Sequence, residues 1–443
     1  MTTIDTTVSV LGVPTRRSSL RLGAEPDSRA EAFVPEGARV RYAVETGTGQ
    51  DLAPDLSFEK AGPRAKIFFN PRQTTAAVVT CGGICPGLNN VIRSAVMGFY
   101  FNYGVKNIWG IRYGYAGMDP KLNMPPVLLT PEMVDNIHEE GGTILGSSRG
   151  PVATEVIVDY LLKKKIDILL CVGGDGTLRG VRDITDEIAR RRLSISVIGV
   201  PKTIDNDVMY MTRTFGLATA AEAARTVLNC AHGEARSAYN GVGLVKLMGR
   251  EAGFIAATAT LASQEVNFCL VPEVPIILEG KKGFLEVLRQ RLSARHHALV
   301  VVAEGAGQDL MRQAQTEKDS SGNKRFGDIG VHLKEQIIDH FKGIQMPADV
   351  KYFDPSYFIR SVPANVDDAI LCDQLARNAV HAAMAGKTGL VISFLNGTYA
   401  HVPIALAVSE KKKIDTDGIL WSSVLATTGQ PRSWSSWPKK RKP

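Results

Sequence analysis

Ile166-Asp167-Ile168-Leu169-Leu170-Cys171-Val172 runs directly into Gly173-Gly174-Asp175-Gly176-Thr177. The apolar run is too short for a helix and stops at glycines, so it reads as a strand buried on both faces. Helical spacing begins at once and continues over 178–191, ending in arginines, which suit a helix C-terminus. The same strand–glycine–helix unit recurs upstream: residues 76–80 end at Gly82-Gly83 and precede a helix over 88–100. Downstream, 194–200 is a strand stopped by Pro201, and 217–231 is an Ala-rich helix. Strands are expected over 242–247 and 298–303, with helices over 284–292 and 331–341. A long helix over 364–385 leads to a strand over 389–395. No repeat of solenoid length is present. Strands alternating with helices predict an α/β fold whose mostly parallel sheets are covered by helices on both faces.

The chain has 443 residues, 44% hydrophobic and 22% charged, ample for a large core and more than one domain. No apolar run approaches the length of a membrane span. Net charge is +7, and Lys439, Lys440, Arg441 and Lys442 supply four of those charges. A nucleic-acid binder is expected to hold its charge in a folded patch, so nucleic acid is not the expected partner, although a nuclear-targeting tail stays open. The six cysteines are sparse, and Cys81 and Cys85 lack a second ligand pair, which argues against zinc and for a reducing compartment. Residues 1–60 show no sustained period and read as an extension, partly disordered or draped over the core. Within it, 1–25 is rich in Ser, Thr and Arg like a weak transit segment, and Arg16-Arg17-Ser18-Ser19-Leu20 has the pattern of a basic-directed kinase substrate.

In open α/β sheets ligands bind beyond the C-terminal ends of strands. Three such ends carry chemistry. Cys81-Gly82-Gly83-Ile84-Cys85-Pro86-Gly87-Leu88-Asn89-Asn90 lets backbone approach an anion at a helix N-terminus, or is simply a tight turn. Gly173 through Thr177 reads either as a phosphate nest with a carboxylate for Mg²⁺ or as an Asp-Gly turn. It is not a P-loop, because the G-x-x-x-x-G-K-[ST] spacing is absent. Pro201-Lys202-Thr203-Ile204-Asp205-Asn206-Asp207 offers a base and a cation for phosphoryl transfer, or an Asx-rich helix cap.

GGICPGLNN, GSSRG, GGDGT, PKTIDND and KLMGR occur in that order, and the set strongly resembles the 6-phosphofructokinases over about residues 66–430. NGVGLVKLMGR, DPSYFIRSVPAN and ATTGQP resemble the long ATP-dependent branch of plants and trypanosomatids. GGDGT alone also occurs in lipid and NAD kinases, which lack the TIDND and MGR segments. The resemblance implies two Rossmann-like domains, one binding nucleotide (66–216 joined by about 361–408) and one binding sugar phosphate (217–360 joined by 409–443), after an N-terminal extension (1–65). It implies ATP, Mg²⁺ and fructose 6-phosphate as ligands, a cytoplasmic enzyme, and a homo-oligomer, expected to be a tetramer.

By the same resemblance, Gly83, Tyr115, Arg149, Gly150, Gly174, Asp175, Gly176 and Thr177 bind nucleotide, with Asp175 organising the metal. Thr203, Ile204 and Asp205 form the substrate loop, with Asp205 as base. Met248, Gly249 and Arg250 contact the sugar phosphate, Glu304 accepts from sugar hydroxyls, and Tyr357 and Arg360 hold the 6-phosphate. Ile84, Gly241 and Tyr357 stand where short bacterial enzymes have Asp, Arg and His, departures the long branch shares. Lys351 lies where a cation from a neighbouring subunit is expected. Pyrophosphate-using members have GGDDT, so Gly176 implies ATP, while Lys202 occurs with either donor. The alternatives are a pyrophosphate-dependent enzyme and a non-catalytic regulatory paralogue, the latter opposed by the presence of both Asp175 and Asp205.

Overall fold

A computed structural model of the chain describes residues 4–20, 33–45, 56–311 and 326–435. The basic tail lies outside them. The chain divides into two compact units. The first comprises Met1–Thr203, Val208–Gly216 and Pro363–Lys411; the second comprises Ile204–Asp207, Leu217–Val362 and Lys412–Pro443.

Among the described residues, the first unit is built on a 9-stranded sheet. Its order is Arg39–Arg41, Ser57–Lys60, Thr398–Pro403, Leu390–Leu395, Ser196–Pro201, Ile168–Gly173, Thr75–Thr80, Asn107–Ile111 and Val127–Leu128. The five strands from Leu390–Leu395 to Asn107–Ile111 are parallel, and the outer ones are antiparallel. Ile168–Gly173 and Ser196–Pro201 are buried along their whole length, as an apolar run in a two-sided sheet requires. Helix Asp175–Arg190 buries Leu178, Val181, Ile184 and Ile188, one stripe at helical spacing, against the strands. The chain passes from Thr75–Thr80 to one neighbour and returns to the other side through Ile168–Gly173. That reversal of strand order is the place where such sheets bind ligands.

The second unit holds a 4-stranded, wholly parallel sheet among the described residues, in the order Phe268–Leu270, His297–Ala303, Gly241–Leu247 and Asp349–Phe353. Helices Leu217–Ser237, Phe254–Ser263, Phe284–Arg295 and Ile329–Gly343 pack against it.

Two local findings differ from the sequence reading. The helix expected over 88–100 is α-helical over Leu88–Met97 and then widens to a π-turn over Gly98–Tyr103, which brings the Tyr103 hydroxyl within 2.8 Å of His381 Nδ1. The segment read as an extension supplies two strands of the large sheet, through Ala400↔Lys60 and His401↔Glu59. Its attachment is ionic. Glu59 lies 2.7 Å from Arg64, 2.8 Å from Lys387 and 3.0 Å from the fully buried ring of His401. Burial opposes the charge of Glu59, but His401 and Lys387 outweigh it and hold the carboxyl well below its usual range. Further upstream, Arg16–Arg17 pairs with Lys66–Ile67, and the Ser19 hydroxyl donates to the carbonyls of Asn102 and Tyr103.

A carboxyl depressed in the folded state contributes stability above its unfolded value near pH 4.5, and loses it as pH falls through the folded value. Glu59→Ala strands three buried partners and is expected to cost about 3 kcal/mol at neutral pH. Denaturant midpoints at pH 7 and pH 4 test this: the deficit should shrink at the lower pH, and equal midpoints for both proteins at pH 7 would remove the cluster from its role.

Candidate active site

In the first unit three glycine-rich turns converge at the strand-order reversal. Gly82 has φ +82°, and its carbonyl accepts from Ser147 Oγ while its N–H donates to Ser148 O at 3.2 Å. The Gly82-Gly83 turn is thereby tied to the Gly146–Gly150 loop. Lys202 Nζ donates to Gly83 O at 2.6 Å, and Lys202 is only 7% exposed. A buried ammonium thus closes the third side, next to the last residue of Ser196–Pro201. Arg149 and Gly150 lie exposed at the rim; Gly150 has φ +114°, and Arg149 has no ion-pair or hydrogen-bond partner among the described residues.

Gly174 caps helix Asp175–Arg190, so the N–H groups of its first turn point out of the helix end, where anions bind. Gly173 needs its lack of a side chain: a Cβ there would stand 2.2 Å from Thr177 Oγ1 and 2.4 Å from Thr177 Cβ. Gly176 is different, because a Cβ there meets nothing within 4 Å. Asp175 Oδ2 lies 3.0 Å from Arg179 and 3.7 Å from Lys411. Tyr115 donates its hydroxyl to Thr177 O at 2.9 Å, and its ring covers Gly180. Tyr115 therefore sets the height of the helix terminus, and its hydroxyl is committed to that task. Beneath it, burial pushes the Cys81 thiol up to about 12, so this cysteine is an inert packing residue.

Thr203 ends the first unit's share of the PKTIDND loop, and its carbonyl accepts from the Thr214 hydroxyl. Ile204 through Asp207 belong to the second unit. There Asn206 takes the left-handed conformation at φ +55°, Asp207 is 8% exposed, and its carbonyl accepts from Lys412 N at 3.1 Å. Asp205, between them, is partly exposed. Burial pushes the Lys412 ammonium down to about 7, opposed by the charge of Asp207.

The remaining second-unit residues gather where parallel strands Gly241–Leu247 and His297–Ala303 end. Glu304 N donates to Leu247 O at 2.9 Å and Gly305 N to Gly249 O at 3.0 Å. Gly249, at φ +129°, and Gly305 permit this approach, since a Cβ on Gly305 would fall 1.8 Å from Arg250 O. Met248 is partly buried beside them. Burial raises the Glu304 carboxyl, while Arg250 and Lys246 pull it back. The Arg250 guanidinium lies 4.4 Å from the Phe326 ring centre, and that of Arg360 lies 4.7 Å from the Tyr357 ring. Arg360 Nε is buried with no hydrogen-bond partner among the described residues. Both arginines act on the Glu304 carboxyl, and an orphaned guanidinium nitrogen suits an anionic ligand. Lys351 is not part of this group: it is exposed in mid-strand and pairs with Asp349 at 3.1 Å.

The sequence reading missed several supports. Asn89 receives Ile144 N at 2.9 Å and donates to Glu140 O at 3.2 Å, fixing the approach to the GSSRG loop. Lys411 stands by Asp175. Gln308 bridges Glu304 O and the backbone of Gly327. The first Asn of GLNN and the Lys-Lys pair were visible as residue types, but nothing local marked their partners.

Residues 75–383 match the family described as Phosphofructokinase. The chain is 47% identical over 408 residues to the ATP-dependent 6-phosphofructokinase of Borreliella burgdorferi, covering 90% of this chain and 91% of that protein. It is 46% identical over 378 residues to ATP-dependent 6-phosphofructokinase 7 of Arabidopsis thaliana, covering 85% and 77%. Among solved structures, it resembles a pyrophosphate-dependent phosphofructokinase from Nitrosospira multiformis with a TM-score of 0.67 at 17% identity, covering 83% of this chain and 95% of that one. At that identity the likeness shows the fold alone.

The contrast between two neighbouring glycines is testable by thermal unfolding. Gly173→Ala drives a methyl into Thr177 and is expected to cost about 1–3 kcal/mol. Gly176→Ala meets open space in a helical first turn, so its midpoint should equal or slightly exceed that of the parent. Equal midpoints for all three proteins would contradict the packing described at Thr177.

Proposed function

The chain belongs to the phosphofructokinase family and catalyses the ATP-dependent phosphorylation of fructose 6-phosphate; we propose that Asp205 is its general base and that Gly176 selects its donor. The observation that carries the donor assignment is the open space at position 176. A glycine there leaves volume for the rest of a nucleotide beyond the transferred group and adds no negative charge against it. A carboxylate at the same point would occupy that volume and repel the α-phosphate.

The phosphate chain of ATP lies, on this reading, against the backbone of Gly83, Gly174, Gly176 and Thr177, with Arg149 and Gly150 at the rim. Free N–H groups at a helix N-terminus and a nearby arginine support it. Asp175 is the residue assigned to Mg²⁺. Its carboxylate stands at the mouth of the nest, and both neighbouring cations sit on Oδ2. No cluster of three or more His, Cys, Asp or Glu side chains able to hold a metal exists among the described residues. One carboxylate plus phosphate oxygens and water is a donor set that suits Mg²⁺. When bound, the ion neutralises charge on the donor phosphates.

The 6-phosphate of the sugar is assigned to Arg250 and Arg360, with Tyr357, Met248 and Gly249 beside it and Glu304 accepting from sugar hydroxyls. Fixing the remote phosphate positions the 1-hydroxyl as nucleophile. Asp205 accepts the proton of that hydroxyl as its oxygen bonds to the γ-phosphorus. The bond from phosphorus to the β,γ-bridging oxygen breaks, and its electron pair leaves with ADP. Thr203 and Ile204 hold the loop on which Asp205 sits, and Lys202 braces the loop against Gly83.

All six cysteines are free thiols, which suits a reducing compartment. No helix among the described residues is long and apolar enough to cross a membrane. A homotetramer is part of the same proposal.

Phosphorylation of fructose 6-phosphate by ATP and by pyrophosphate, side by side with and without Mg²⁺, tests the whole reading; turnover is expected only with ATP and the metal together. Asp205→Asn should lower kcat about 10²- to 10⁴-fold with little change in KM. Because the fold has room at 176, Gly176→Asp should melt like the parent yet lose most ATP turnover. Full ATP activity in that variant would refute the steric assignment.

A further inference from the structure

The second unit contains an ionic junction that none of the roles above requires. Lys246 is the next-to-last residue of Gly241–Leu247, two positions before Met248. Its side chain is only 12% exposed, and its ammonium lies 2.8 Å from Asp328 Oδ2 and 2.9 Å from Asp354 Oδ2. The two carboxylates belong to different segments. Asp328 caps helix Ile329–Gly343 by accepting from Gly330 N at 3.0 Å and Val331 N at 3.2 Å, and it also accepts from the Tyr352 hydroxyl at 3.0 Å. The Tyr352 ring packs where Gly330 has no side chain; a Cβ there would be 2.3 Å from it. Asp354 accepts from Ser356 N at 3.1 Å and opens the short helix Ser356–Ile359, which leads to Arg360.

We propose that Lys246 is a positioning residue for sugar-phosphate binding: one buried ammonium ties the segment bearing Phe326, against which Arg250 stacks, to the segment bearing Tyr357 and Arg360. The inference rests on the assignment of Arg250 and Arg360 to the 6-phosphate. Burial opposes the charge of Lys246, but the two aspartates outweigh it and hold the ammonium above its ordinary value, and both aspartates are held below theirs. Glu304 feels the same charge. Without Lys246, Asp328 and Asp354 lose their shared cation, and Glu304 keeps only Arg250 and Arg360 to offset its charge. Repulsion between the two aspartates opens both segments and raises the negative potential where a phosphate dianion must bind.

Steady-state kinetics of the full chain with Lys246→Met, Lys246→Arg and Asp354→Asn, with thermal unfolding in parallel, test this. Lys246→Met should raise KM for fructose 6-phosphate about 10- to 100-fold, because the mispositioned arginines lose part of their grip on the phosphate. In the same variant kcat should fall less than about fivefold and KM for ATP should stay within about twofold. Lys246→Arg should recover most of the loss. Asp354→Asn, a milder change should the methionine variant not fold, should move the same KM in the same direction. A KM for fructose 6-phosphate that stays at the parent value in the folded variants overturns the inference. So does a parallel rise in both KM values with a lowered melting midpoint, which would assign Lys246 to stability alone. A parent chain inactive on fructose 6-phosphate would instead overturn the functional reading on which this rests.

Discussion

At Gly173, Gly249 and Gly305 the backbone comes so close to a neighbouring residue that no side chain fits. The helix terminus at Asp175–Thr177 in one unit and the pair Arg250 and Glu304 in the other are hung from such points. In the first, the missing side chain at 173 lets Thr177 fold back under the strand end, which aims the first-turn N–H groups of helix Asp175–Arg190 outward. In the second, Gly249 and Gly305 let two parallel strands continue side by side beyond the sheet, which carries Arg250 and Glu304 out together. A methyl at 305 would overlap the carbonyl of Arg250 outright. The glycines therefore do more than permit a turn. They set how near the polar groups come to one another.

Around these fixed points the charged groups fall into two kinds. Lys202, Lys246 and Glu59 are largely buried and hold backbone or opposite charge within the protein. Arg149 and the Nε of Arg360 have no such partner among the described residues. A buried ion with full partners acts as a brace, whereas a cation without one holds unspent electrostatic attraction for a ligand. Residue type does not distinguish the two kinds, because Lys202 and Arg149 flank the same cradle.

The alternation of strands and helices was legible because each element is buried on a regular face. Ile168–Gly173 and helix Asp175–Arg190 lie within a few residues of where the apolar pattern puts them. The glycine and aspartate motifs were legible because their chemistry is local. What escaped was non-local. Strands of three and four residues such as Arg39–Arg41 and Ser57–Lys60 show no period, and Glu59 meets His401 across 342 positions of sequence. Thr398–Pro403 had a signal that was not used: Asn396-Gly397, at φ +51° and +79°, is the turn a two-residue hairpin demands. Lys246 and Asp328, 82 positions apart, had none, since neither carries a mark of its partner.

The choice of phosphoryl donor shows why local chemistry can be read while its weight cannot. The resemblance implies that Lys202 accompanies either donor, and the fold fits that neutrality: its ammonium is buried against Gly83 O, bracing a turn that any phosphate chain would use. Position 176 faces no protein atom within reach of a Cβ, so on the proposed reading a side chain there meets the ligand before it meets the fold. A residue that costs the protein nothing to change is free to follow the substrate. On the proposed assignment, a carboxylate at that position would act on the α-phosphate through both volume and charge, and pyrophosphate has no α-phosphate to exclude. On the proposed reading, discrimination rests on the absence of a side chain at one exposed helix position, while Lys202 braces the neighbouring turn without contributing to choice.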